Sequence, residues 1–282
     1  MMTTTMETLL ESVTPVPTAT MIGLYLSLCI AFGLPIFLAI FVRRKLKSKV
    51  WPVLLGAAVF LVFAMVLEQA IHMLVLRNDF GTKIMSSPVL YGLYGGLMAA
   101  LFEEGGRYIA MRYVMRGSLN KENAIMYGVG HGGIEAILIV GLSYFSNIAV
   151  AAMVNNGDIA QFFAGMDEAT AQTMFQQIAP LWQGPSYVFY MAGIERIGAV
   201  AVHICLSYLV YRAIDDVDWA FFALAFGAHF AVDFIASVLS QSGVNMIVIE
   251  LIVLALAAAL VVMVRRFWKQ EVEYEKHLKA QE

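Results

Sequence analysis

Thirteen ionisable side chains lie inside apolar stretches of this 282-residue chain: Glu68, His72, Glu103, Glu104, Arg107, His131, Glu135, Glu195, Arg196, His203, His229, Asp233 and Glu250. Four of the five histidines are among them. Their spacing sorts them. Glu103 and Arg107, His131 and Glu135, and His229 and Asp233 are each four apart, so each pair shares a helix face; Arg196 and His203, seven apart, do likewise. Carboxylates and imidazoles on converging faces suit the activation of water. In one form, His131, His203 and His229 bind Zn²⁺, which lowers the pKa of bound water while Glu103 or Glu104 acts as base. In the other, Glu103 and a histidine take the proton directly, and a second histidine with Asp233 stabilises the oxyanion. Both lead to amide hydrolysis.

The elements that must position these groups follow from composition. The chain is 60% hydrophobic and 14% charged, against about 45–50% and 25% for soluble domains. Mean hydropathy is +0.75. Disorder, a coiled coil and an ordinary soluble enzyme are excluded. A bilayer core takes about 20 apolar residues of helix. Seven stretches meet that length, near 20–42, 51–76, 89–111, 124–152, 187–211, 218–239 and 244–264, which predicts an all-α, polytopic helical bundle. The first twenty residues carry Glu7 and Glu11 and no Lys or Arg, unlike a secretory signal. With the N-terminus outside, fourteen of the eighteen Lys and Arg fall in cytoplasmic segments and only Arg77 and Lys83 outside. That asymmetry predicts N-out, C-in. The domains expected are an extracytoplasmic segment 1–19, a membrane domain 20–264 and a charged cytoplasmic tail 265–282. The long outer loop 153–186 reads as a short surface helix or a packed cap. Cys29 and Cys205 imply no disulfide framework, and net charge −3 with no basic face excludes a nucleic-acid partner.

A charge at mid-bilayer costs about 2.5–3.5 kcal/mol, so such residues are functional candidates by default. Counted from the cytoplasmic span ends at about 1.5 Å per residue, Glu103, His131, Glu135, His203 and His229 all lie about 10–16 Å deep. Four helices therefore bring them to one level. Gly92, Gly96, Gly105 and Gly106 near Glu103, and Gly128, Gly130, Gly132 and Gly133 around His131, allow close helix approach there. HExxH, GxSxG and the aspartyl intramembrane pairs YD and GxGD are missing, which leaves water as nucleophile.

The trio Glu103-Glu104-Gly-Gly-Arg107, His131-Gly-Gly-Ile-Glu135 and His229-Phe-Ala-Val-Asp233 resembles the three-motif pattern of the CAAX-protease and bacteriocin-processing superfamily with its PrsW-like relatives. The whole chain resembles the YhfC family of intramembrane metalloproteases, and Glu195-Arg196 with His203 looks like that family's pattern. The resemblance implies Glu103 as the catalytic carboxylate, Glu104 beside it, Glu135 at the second-motif position, His229 as the third-motif histidine and Asp233 as its helper. Two departures are EExxR in place of EExxxR or EExxK, and His131 where relatives commonly have Phe.

Rival readings attach to the same residues. Each histidine taken singly reads as a core residue, Glu103 with Arg107 as a buried salt bridge, Glu195 with Arg196 as a structural ion pair, and Glu68 with His72 as structural or accessory. Glu, His and Asp within spans also describe a proton-coupled transporter, though the halves show no repeat. A non-catalytic binding or immunity protein is the third class. The partners expected are membrane lipid and a membrane-protein or peptide substrate, in a prokaryotic plasma membrane. Zinc is the one cofactor expected.

Overall fold

The computed structural model describes residues 4–281; residues 1–3 of the expected N-terminal segment and residue 282 of the tail lie outside it. The described residues form helices and no strand. We number them α1 Thr4–Glu11, α2 Thr18–Lys45, α3 Trp51–Leu76, α4 Asp79–Met85, α5 Pro88–Val114 and α6 Lys121–Asn156, then α7 Ile159–Phe162, α8 Glu168–Ile178, α9 Pro180–Gln183, α10 Tyr187–Asp215, α11 Trp219–Gln241 and α12 Met246–Gln281. Six of them (α2, α3, α6, α10, α11 and α12) are long and apolar enough to cross a membrane. The short α4 and the long α5, bent by 107° at their junction, add a seventh when counted as one span. Side chains mark the ends: Asn78 accepts from the Phe80 and Gly81 amides to cap α4, Ser87 caps α5 ahead of Pro88, and Asp218 caps α11.

The chain divides into two compact units. Of the described residues, the first comprises 4–33 and 136–196. Its core gathers Leu24, Ala31, Ala151, Phe163, Phe175, Leu181, Trp182 and Phe189. The segment 153–186 belongs to that core: Ile159, Phe163, Ala171, Phe175 and Ile178 are buried, so its short helices pack as a cap. Asp167 caps α8, and its bonds from Thr170 hold its carboxyl below the usual range. Hydrogen bonds from Ser27 Oγ to the Phe189 carbonyl, 2.5 Å, and from Tyr190 OH to the Ala19 carbonyl, 2.8 Å, tie α2 to the start of α10.

The second unit comprises the described residues 34–135 and 197–281 and holds every residue of the three motifs. Its core is built from Met111, Met115, Ala124, Tyr127, Leu206, Leu209 and Leu260. Glycine sets how closely its helices approach. A Cβ on Gly130 would sit 1.9 Å from the Val53 carbonyl oxygen, and one on Gly56 would sit 2.1 Å from that of Tyr127. The backbones of α3 and α6 therefore touch over the turn that leads into His131. Leu93, Leu97 and Leu101, four apart on α5, are exposed and apolar, as a lipid-facing stripe must be. The C-terminal part of α12 is held by Glu271, which accepts from Tyr208 OH at 2.6 Å and Tyr211 OH at 2.9 Å.

Gly130→Ala is expected to destabilise the protein by about 1–3 kcal/mol, because backbone rather than a flexible side chain must yield. Gly227→Ala, where nothing lies within 4 Å of the added atom, is expected to be neutral or stabilising. Thermal unfolding in detergent compares the two.

Candidate functional site

The site is assembled by four helices of the second unit. Helix α5 supplies Glu103, Glu104 and Arg107; α6 supplies His131 and Glu135; α10 supplies His203; α11 supplies His229 and Asp233. Glu103 and Glu104 close a π turn, Ala100–Glu104. Such turns recur at functional sites because they rotate side chains out of the ordinary register. The rival reading of Glu103 as the partner of Arg107 in a buried salt bridge is not the pairing formed. Arg107 Nη1 donates to Glu104 Oε1, three residues back, and both side chains are fully buried. The widened turn breaks the 3.6-residue register on which the i,i+4 pairing rested. Glu103, still within the field of Arg107, faces the histidines.

One oxygen, Glu103 Oε2, is the focus. His131 Nε2 lies 2.8 Å from it, His203 Nδ1 3.8 Å and His229 Nε2 3.9 Å. The other ring nitrogens are held in turn. His229 Nδ1 donates to Glu104 Oε1 at 2.8 Å, and His203 Nε2 lies 2.5 Å from Glu135 Oε2. Arg107 Nη2, which can only donate, lies 3.1 Å from His203 Nδ1, so that nitrogen keeps its lone pair and Nε2 carries the proton. His131 Nδ1 and Glu104 Oε2 are buried without a hydrogen-bond partner. Asp233 Oδ2 sits 3.2 Å from His229 Nε2, with its side chain partly exposed.

This arrangement fits a metal ion. Atoms of Glu103, His131 and His203 lie within 4.8 Å of one another and are buried. Imidazole nitrogen with carboxylate oxygen is the zinc donor set, and two ligands about 2.1 Å from one zinc stand about 3.4 Å apart. Metal-binding histidines present one nitrogen inward and fix the other on a carboxylate or carbonyl. His229, fixed on Glu104, does so here; His203, fixed on Glu135, would do so on exchanging the Arg107 donor at Nδ1 for the metal. His229 lies outside the mutual 4.8 Å set but faces the same oxygen.

Glu68, read from sequence with His72 as structural or accessory, lies beside the cluster. The π turn Phe63–Glu68 packs against Ala100–Glu104, and Glu68 is within electrostatic reach of Glu103, His229 and Asp233. Tyr94 and Tyr127 were not singled out; an aromatic ring inside an apolar run carries no signal that separates it from packing. Phe60, edge-on to the His131 ring at 5.3 Å, is equally silent in sequence. Glu195 and Arg196 form an ion pair with each other in the first unit.

Removing one member of a buried ion pair leaves an uncompensated charge and costs about 3–5 kcal/mol. Arg107→Met is expected to lose stability on that scale, and Arg107→Met with Glu104→Gln to recover part of it. Thermal unfolding of the single and double variants checks this.

Comparison with known proteins agrees with the geometry. A family model described as YhfC intramembrane metalloprotease matches residues 30–253. The uncharacterized membrane protein YhfC of Bacillus subtilis (strain 168) is 40% identical over 238 residues, covering 83% of this chain and 91% of that protein. No solved structure matches. The protein is a multi-pass membrane protein, and with four-fifths of its length under one family model it belongs to the YhfC intramembrane metalloprotease family.

Proposed function

We propose that the protein is an intramembrane peptidase that hydrolyses a peptide bond in or near the bilayer, with water activated at Glu103. The observation that carries this is the convergence of three histidine nitrogens from three helices on Glu103 Oε2. His131, His203 and His229 would hold a zinc ion; when bound, it would lower the pKa of water and polarise the scissile carbonyl. Glu103 takes the proton from water and delivers it to the leaving amine nitrogen. Glu104, locked by Arg107, does not act as base; it fixes the His229 ring. Glu135 fixes His203 in the same way. Asp233, beside His229 and partly exposed, is placed to contact substrate. The membrane is the plasma membrane of a prokaryote, with the N-terminus outside and the C-terminus inside, as the Lys and Arg distribution predicts.

A second assignment is favoured by the mutual distances of Glu103, His131 and His203. There Glu103 is itself a ligand, and His229 with Asp233 supplies the base.

Elemental analysis of the purified protein is expected to give about one zinc per chain. His131→Ala and His203→Ala are expected to lose it; a metal-free wild type overturns the metal site. Glu103→Gln separates the two assignments: zinc is retained if Glu103 is the base and lost if it is a ligand. Against a panel of single-span membrane peptides, Glu103→Gln is expected to cut the cleavage rate about 10²–10⁴-fold. Equal cleavage by wild type and variant would remove Glu103 from the chemistry.

A further inference from the structure

Polar groups on lipid-embedded helices need partners or water. One such group is not used by the cluster. Glu68 Oε1 lies 3.2 Å from His72 Nε2, and His72 Nδ1 lies 2.9 Å from Tyr94 OH. The line starts on the π turn that packs against Ala100–Glu104 and leads away from it. His72 is four residues from the Leu76 end of α3. Tyr94 precedes Glu103 by nine residues, about 13 Å along α5 toward Pro88. Glu68 is buried, whereas His72 and Tyr94 are half-buried.

A second line runs along α11. His229, Asp233 and Ser237 follow at four-residue steps, and then come Ser240, Gln241 and Ser242. Helix α11 lies antiparallel to α5: the space beside Gly96 is filled by Phe230 and Phe234, and that beside Gly92 by Phe234 and Val238. Ser237 Oγ is 4.0 Å from where a Cβ on Gly95 would sit. The C-terminal end of α11 therefore lies at the Pro88 end of α5. Exposure rises along this line too, from buried His229 through Asp233 to exposed Ser240 and Gln241. On α5 itself, Leu93 and Leu97 beside Tyr94 are exposed and wholly apolar.

We propose that Glu68, His72 and Tyr94 on one side, and Asp233 and Ser237 on the other, line a hydrophilic passage. It carries water to Glu103 from the membrane surface at the Leu76, Pro88 and Gln241 ends. Hydrolysis consumes one water per bond: its oxygen joins the carbonyl carbon, the C–N bond breaks, and its proton goes to the amine nitrogen. Hydrocarbon cannot supply that water. Two carboxylates, an imidazole and two hydroxyls offer donors and acceptors at successive depths, so a water molecule is never left unbonded between surface and site. The purpose of the passage rests on the peptidase reading; its existence does not.

Thiol labelling tests it without any substrate. The background is Cys29→Ser, since Cys29 is exposed, with buried Cys205 kept. His72→Cys, Tyr94→Cys and Ser237→Cys are placed in lipid nanodiscs and treated with a charged, membrane-impermeant methanethiosulfonate. They are expected to react at least about tenfold faster than Leu93→Cys and Leu97→Cys, because thiolate forms and meets the reagent only in an aqueous setting. Rates no faster than the two leucine positions overturn the passage. Ser237→Cys, the smallest change, decides the result if the larger replacements fail to fold. Fast labelling with no peptidase activity in the full chain would overturn the peptidase reading alone. Slow labelling with activity intact would overturn the passage alone.

Discussion

Two adjacent carboxylates buried among membrane helices are the constraint around which the second unit is built. A buried charge without a partner is costly, and two like charges side by side are costlier. Arg107 settles one of them. It pairs with Glu104 and also reaches His203, so one fully buried cation ties α5 to α10. Glu104 in turn holds His229, tying α5 to α11. Glu103 is left to three imidazoles. One carboxylate is thus tied to a guanidinium and the other faces imidazoles, although the two are neighbours in sequence.

Such a cluster needs helices that approach closely and stay rigid. At Gly130 and Gly56 the contact is backbone to backbone, and at Gly132 a Cβ would meet the Val200 Cα and His203 Cβ at 3.0 and 3.1 Å. Gly130 and Gly132 flank His131 on α6, so the packing that seats the helix also fixes the ring. Lipid offers no hydrophobic drive for this association. Shape complementarity and the polar cluster therefore reinforce one another.

The π turns add a third element. Those at Phe63–Glu68 and Ala100–Glu104 lie against each other and carry Glu68, Glu103 and Glu104. Each directs acidic side chains inward from helices whose other faces are apolar and lipid-exposed. The polar lines along α3, α5 and α11 extend from this point toward one end of the unit, with exposure increasing as they go.

Much of this was legible in the sequence. Composition and the lengths of the apolar runs determined an all-α membrane bundle, because hydrocarbon permits few alternatives. Charge inside a span is penalised strongly enough that the surviving charges marked the site, and helical spacing placed Glu103, His131, His203 and His229 at one depth. Tertiary structure alone decided the pairings. Spacing put Arg107 on the face of Glu103 and offered their pairing as a rival reading; a local π turn, which no residue type announces, gave it to Glu104. Spacing also could not place Glu68 beside Glu103, because which helix packs on α3 is a long-range fact. Helical periodicity reports the face a residue occupies. The group that meets that face depends on packing between segments distant in the chain, and there the sequence carries no local signal.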